Sequence, residues 1–306
     1  MKNILEYYYN LSPTIINKKD EYYYFKLKND TYYLVPYNNQ EEIKNIYEIN
    51  ILMINSNILV HEIIINKNKE PFIFYNNRVY ILYKTFINPK SIITLNEISY
   101  ISKIRINYSK QSIRDNWPNL WSKKIDYFEY QINQFGKKYP IIVESFSYFV
   151  GLAENAISYV RNTMNEVLIS NIDIGVISHK NLYINNPAYH FYNPLNIIID
   201  HQARDIAEYI KLAFFNDNKK IFQELSLYFT ENKFTVYGIR LLYGRILYPS
   251  YYFELYEQIL RNQKKEYELL KLISKISKYE QYLKDVYEYL NSLYTIPKVE
   301  WLYITR

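Results

Sequence analysis

Residues 177–210 constrain the fold of this chain more than any other stretch. An apolar run through Ile177 gives way to a polar loop from His179 to Asn186, and a second run, Ile197, Ile198 and Ile199, ends at Asp200. A helix then opens near Arg204 and Asp205, where a carboxylate suits the positive end of the helix dipole. The order is strand, loop, strand, helix. Ile206, Ala207, Ile210 and Phe214 fall mostly on the inward face of that helix, which is expected to reach Phe215.

Glycine narrows the chemistry. The 306 residues include five glycines, the first being Gly136. Phosphate-cradling loops, dinucleotide fingerprints and nucleophile elbows use glycine to bring backbone close to a ligand or to tolerate a strained turn, and no such pattern occurs. Cysteine is absent, which removes disulfides, thiolate nucleophiles and cysteine zinc sites and fits a reducing compartment. The four histidines, His61, His179, His190 and His201, include no pair four residues apart, so a helical zinc site is not expected.

Residues 21–37 read as two aromatic strands joined at Asn29-Asp30, a pair that tolerates positive φ. Gln40 to about Met53 carries Ile43, Ile46, Tyr47 and Ile51 at helical spacing. Runs at 63–65, 72–75 and 78–83, the last two joined by Asn76-Asn77, read as further strands. From Pro118, suited to a first turn, Leu120, Trp121, Ile125, Phe128, Ile132 and Phe135 are spaced as one packing face of a helix capped by Gly136. After Pro140 comes an apolar run at 141–143. A helix is expected to begin around Gly151, burying Leu152, Ala156, Ile157, Val160 and Met164, with Glu154 in its first turn. Helices are also expected over 219–229 and 236–247, and over 253–294 in two pieces; Trp301 reads as a packing anchor.

The polar loop carries a resemblance. In aminoglycoside-phosphotransferase-type kinases it reads His-x-Asp-x-x-x-x-Asn, followed by an apolar strand ending in a metal-binding aspartate and then by Arg-Asp-Leu-Ala. His179 matches the histidine, Asn181 stands where the catalytic aspartate belongs, and Asn186 matches the asparagine. Asp200 best matches the metal-binding aspartate, and Asp205 matches the aspartate of the last motif, where structural support of the loop is expected. The resemblance implies an α+β, two-lobed, protein-kinase-like fold. Its small β-rich N-lobe, with one helix, would span residues 1–85, and a larger, mainly helical C-lobe residues 86–306, with a hinge at 84–90.

The departures from that pattern bear on activity. The first lobe has no glycine, and where a strand lysine would hold nucleotide phosphates the chain reads Leu34-Val35-Pro36. Lys26 and Lys84 are the nearest substitutes and read as exposed strand lysines. Asn181 carries no charge and accepts no proton at neutral pH, and losing one preorganised electrostatic group typically costs on the order of 100- to 1,000-fold in rate. No catalytic residue is assigned, and the loop positions His179, Asn181 and Asn186 are read as degenerate. Asp200 and Asn186 are the candidate oxygen ligands for a hard cation; a helix cap or loop brace is the alternative role for Asp200.

Three segments, Phe146 to Tyr159, Asp200 to Glu208 and Leu241 to Pro249, are together similar to the YutH branch of the CotS-type spore coat proteins, a branch with a kinase-like fold and an altered active site. This similarity implies a non-catalytic structural or interaction protein without a cofactor. It would be made in the mother-cell cytoplasm and deposited in the spore coat, with other spore coat proteins as partners. Two readings stay open beside it: an active phosphotransferase with a relocated base, and a pseudokinase holding a small ligand in the inter-lobe cleft.

With 37 basic and 31 acidic residues the net charge is +6, spread along the chain, so no nucleic-acid footprint is expected. No apolar run approaches the roughly 18 residues of a membrane span, and Met1 to Glu6 lacks the apolar stretch of a secretory signal, so no membrane insertion is expected. The 38 tyrosines fit either AT-rich coding or a durable shell whose phenols pack and are oxidatively cross-linked. The oligomeric state is not legible.

Overall fold

The computed structural model describes residues 1–85, 92–104, 106, 116–182 and 190–304. They fall into two compact units: Met1–Lys110 with Val176–Ile199, and Gln111–Gly175 with Asp200–Arg306.

The first unit runs α1 (Lys2–Tyr9), β1 (Asn17–Lys19), β2 (Tyr22–Leu27), β3 (Asp30–Tyr37), α2 (Gln40–Asn55), β4 (Glu62–Ile63), β5 (Ile73–Tyr75), β6 (Arg78–Thr85) and α3 (Leu95–Ser102). Its antiparallel sheet has the order β1-β2-β3-β6-β4, with β5 also paired to β6. Side chains alternate along each strand, so the two faces acquire separate cores. Phe25, Leu34, Tyr80 and Leu82 pack with Leu5 of α1, and Ile81 and Tyr83 pack with Ile43 and Ile46 of α2. The first hairpin turns one residue earlier than the sequence suggests: Leu27 pairs with Asp30, and the positive φ of 54° falls on Lys28. At the other hairpin, Asn76 and Asn77 both adopt positive φ, 47° and 58°, as a two-residue turn between right-twisted strands prefers. Lys84 and Thr85 lie in β6, and the rest of the hinge expected at 84–90 lies outside the described residues.

Two further strands, β7 (Gly175–His179) and β8 (Ile197–His201), form a two-stranded sheet and lead into α6 (Ala203–Phe215), as residues 177–210 suggested.

The second unit is helical. Its remaining helices are α4 (Trp117–Phe135), α5 (Pro140–Glu166), α7 (Ile221–Glu231), α8 (Val236–Leu247), α9 (Ser250–Leu260), α10 (Glu268–Ile273) and α11 (Ile276–Leu293). Helix α4 buries Trp121, Ile125 and Phe128, but Leu120 and Phe135 are 51% and 49% exposed rather than part of that face. Leu120 lies a residue off the stripe, about 100° around the helix, and Phe135 falls in the last turn before the chain bends at Gly136. Helix α5 starts at Pro140, not near Gly151, so the run at 141–143 is helical and Glu154 sits mid-helix on an exposed surface. Pro140 presets φ for a first turn, and packing of the long helix outweighs the strand preference of Ile141, Ile142 and Val143. Met164, expected inside, is exposed, and the expected two-piece helix over 253–294 is three helices, α9 to α11. Among the described residues no helix is long and apolar enough to cross a membrane.

Candidate functional site

In the first unit, the segment after β7 is held by its neighbours in sequence. His179 is buried, stacks on Phe191 at 4.5 Å, and points Nε2 at the Phe191 carbonyl at 3.1 Å, where only an N–H can be accepted. The Lys180 N–H donates to the Asn196 carbonyl at 2.7 Å and the Asn181 N–H to Asn196 Oδ1 at 3.1 Å. Asn196 Nδ2 returns bonds to the carbonyls of Asn181 and His190 at 2.7 and 2.9 Å. Asn181 is exposed, and Asn186 lies outside the described residues.

No lysine stands on the α2-facing side of β3. Tyr37 does, and its hydroxyl donates to Glu42 Oε2 of α2 at 2.8 Å. Lys180 Nζ donates to the same Tyr37 hydroxyl at 2.9 Å and lies 3.8 Å from Glu42 Oε2. A lysine and a helix glutamate are therefore paired, with the lysine supplied by the loop. Lys84 is instead tied to Glu62 across the sheet at 3.2 Å, a bond that raises its pKa, and Lys26 is exposed.

In the second unit, Asp200 has no exposed surface. Trp117 Nε1 donates to both of its oxygens at 3.1 Å, the His201 N–H donates to Oδ1 at 2.7 Å, and an Arg204 guanidinium nitrogen lies 2.6 Å from Oδ2. Neither partner was anticipated: Arg204 follows Asp200 by four residues, and Trp117 is 83 positions away. Behind this pair lies a buried charge network. Arg245 stacks over the Trp117 ring at 4.7 Å and bonds Glu208 at 3.0 Å, and Lys211 bonds Glu208 at 2.9 Å and Ser250 Oγ at 2.7 Å. Burial opposes ionisation of Glu208, but Lys211 and Arg245 prevail and hold its carboxyl at about 2. Burial pushes the Lys211 ammonium down to about 8, and burial together with the Glu208 charge pushes the Glu254 carboxyl up to about 7. Asp205 is buried in the first turn of α6, where its charge bears on Tyr228 and Arg245.

A second node was not anticipated. His201 Nδ1 accepts the Ala203 N–H at 3.0 Å, which leaves its Nε2–H to face Asp173 Oδ1 at 3.3 Å. Asp173 also accepts from Thr235 Oγ1 at 2.6 Å and from the Ser170 N–H at 2.8 Å, and Thr235 caps α8 through the Gly238 N–H. Burial opposes ionisation of Asp173, and these bonds overcome it, so its pKa is lowered. Among the described residues no group of three or more histidines and carboxylates is placed to hold a metal ion.

Comparison with known proteins gives this arrangement a setting. The family described as spore coat putative kinase YutH matches residues 2–286. The endospore coat-associated protein YutH of Bacillus subtilis (strain 168) is 29% identical over 209 residues, a match covering 61% of this chain and 61% of that protein. The chain thus spans about three-fifths of the length of the curated relative it matches. Among solved structures, the spectinomycin phosphotransferase APH(9)-Ia is similar at a TM-score of 0.57 and 14% identity, over 93% of this chain and 92% of the other. An aminoglycoside phosphotransferase from Alicyclobacillus acidocaldarius is similar at 0.58 and 8%, over 93% and 94%. An amicoumacin kinase is similar at 0.57 and 11%, over 92% of both chains. These structures establish the aminoglycoside-phosphotransferase-like, α+β fold.

Proposed function

This chain belongs to the YutH family of spore coat putative kinases, and on that premise we propose that it serves the coat as a kinase-shaped structural or interaction protein that does not transfer phosphate. The observation that carries this is Asp200. A kinase-like site needs a carboxylate open to Mg²⁺ and a second carboxylate to take the substrate proton. Asp200 is enclosed and neutralised by Arg204 and bonded by Trp117, so a metal would have to displace both from a carboxylate with no exposed surface. The amide of Asn181 at the base position and Tyr37 on β3 fit the same reading.

The interaction half rests on the loop between α5 and β7. Leu168 and Ile169 are 93% and 64% exposed, and Ile172 and Ile174 are exposed beside them. Clustered apolar exposure of this kind marks contact surfaces, and the bonds of Asp173 fix the loop from beneath. Other coat proteins are the proposed partners. Synthesis in the mother-cell cytoplasm followed by deposition in the coat is the proposed route, by analogy with the coat-associated relative.

One observation favours a second reading. Lys180 and Glu42 restore the lysine–glutamate pair of kinases with the lysine moved to the loop, which suits a pseudokinase that holds a nucleotide without metal. Thermal unfolding of the purified chain separates the readings, because a ligand that binds the folded state raises Tm. No shift with ATP, with or without Mg²⁺, and no transfer of labelled phosphate are expected. A metal-independent shift would favour the second reading. A Mg²⁺-dependent shift lost in Asp200→Asn would overturn the proposal.

A further inference from the structure

A cavity of about 240 Å³ lies within the second unit, walled by α5, by Arg240 of α8 and by residues 297–301 beyond α11. None of the groups bonded to Asp200 or Asp173 lines it. Its volume falls just below the roughly 300–1,000 Å³ of drug-sized sites, which limits it to a small occupant. The walls are braced. The Tyr159 hydroxyl of α5 donates to the Pro297 carbonyl at 3.2 Å, and Trp301 packs edge-on to Tyr148 at 6.4 Å.

Arg240 is the group that the fold leaves unanswered. Its side chain is 17% exposed, and Nη1 donates to Glu166 Oε2 at 2.9 Å, but the buried Nε has no acceptor among the described residues. A buried donor without an acceptor is costly, so an occupant that offers one is favoured. The lining also sets the charge of that occupant. Its charged side chains are Arg240, Lys298, Glu166 and Glu300, two of each sign, so a net cation or anion meets repulsion along with attraction. A neutral molecule avoids both. Asn155 Nδ2 already donates to the Gly151 carbonyl at 2.8 Å, which leaves its Oδ1 to accept, and the exposed Asn162 amide has no hydrogen bond among the described residues. Donors and acceptors thus lie beside the apolar face of an indole. Vicinal hydroxyls, each both donor and acceptor, on a ring with a C–H face match that combination.

We propose that this cavity binds one ring of a neutral saccharide, its C–H face against Trp301 and adjacent hydroxyls accepting from Arg240 Nε and donating to the Asn155 or Glu166 oxygens. The test titrates the full chain at pH 6.5 with methyl glucoside, methyl galactoside and methyl mannoside, followed by ligand-observed NMR and by the Arg240 Nε–H resonance. At least one is expected to bind saturably in the millimolar range and to move that resonance. The uronate and amino-sugar counterparts of the binder should each bind several-fold more weakly. Arg240→Lys keeps a charge for Glu166 but removes the Nε–H, and should weaken binding about tenfold. Asn162→Ala, at an exposed position that leaves the core intact, should weaken it several-fold. Absence of saturable binding by all three glycosides, a stationary Arg240 resonance, equal binding of either charged counterpart, or an unchanged affinity in Asn162→Ala or in folded Arg240→Lys would each overturn the assignment. Mg²⁺ and ATP play no part in this measurement, so its outcome is independent of the functional reading above.

Discussion

A carboxylate with no exposed surface must be protonated or met by positive charge and hydrogen-bond donors. Asp200 is met by Arg204, Trp117 and the His201 N–H, so its charge is balanced from within the protein. Arg204→Ala is therefore expected to destabilise the protein by about 3–5 kcal/mol in urea unfolding, because it strands a buried charge. The paired change Asp200→Asn with Arg204→Met removes charge and partner together and should recover most of that loss. If the single variant were as stable as the parent, Asp200 would have to be solvated and accessible, and the case for a sequestered carboxylate would fail. The distance of Lys180 from Glu42 in sequence hides their contact, since only the fold brings the residue after β7 to the first turn of α2.

Helix α8 approaches α5 closely at Gly244. A Cβ on Gly244 would lie 2.5 Å from Val160 Cγ2 and 3.2 Å from Tyr159 Cδ1, whereas one on Gly151, also within α5, would meet nothing within 4 Å. The two glycines should thus respond oppositely to alanine. Gly151→Ala is expected to stabilise by about 0.5–1 kcal/mol through helix propensity alone. Gly244→Ala gains the same propensity but must push a packed valine aside, and overpacking typically costs about 1–3 kcal/mol, so a net loss is expected in thermal or urea unfolding. This contrast also shows what the sequence could reveal. Aromatic runs placed β2 and β3 and helical spacing placed α2, α6 and α8, and in α2 the pattern records one buried face, Ile43, Ile46, Asn50 and Met53. The same rules failed for the start of α5, where the apolar run 141–143 was left outside a helix expected to begin around Gly151, and for Leu120 and Phe135, whose exposure depends on where α4 meets its partners. The contacts of Asp200 were not read from the sequence: Arg204 lies only four residues on, but across the turn from β8 into α6, and Trp117 reaches it only through tertiary packing.

At the scale of the whole molecule, a set of tyrosines is built into the core: Tyr243, Tyr252 and Tyr256 are among the largest fully buried side chains. Burial pushes Tyr243, Tyr251 and Tyr279 well above the ordinary phenol value and Tyr252 up to about 12. Above about pH 10 the unfolded chain releases phenolic protons that the folded chain keeps, so stability falls as pH rises from there. Glu254 adds a second descent at lower pH. Its carboxyl faces Glu208 and Lys211 of α6, Lys124 of α4 and Glu257 of α9, and titrates near 7 when folded against an ordinary 4.5. Between those values the folded state holds a proton that the unfolded state has lost, so stability declines as pH rises from 4.5 to 7, by up to about 3 kcal/mol. Glu208 acts in the opposite sense: it contributes stability above 4.5 that is lost as pH falls toward its folded value of about 2. Urea unfolding across pH should show a midpoint that falls between pH 5 and 7 in the parent and is nearly level there in Glu254→Gln. Both proteins should share the descent above pH 10, accompanied by rising tyrosinate absorbance as buried rings are released. A parent curve flat from pH 5 to 7 would mean that Glu254 is solvated and ionised throughout, which is incompatible with its placement beside the buried Glu208–Lys211 pair.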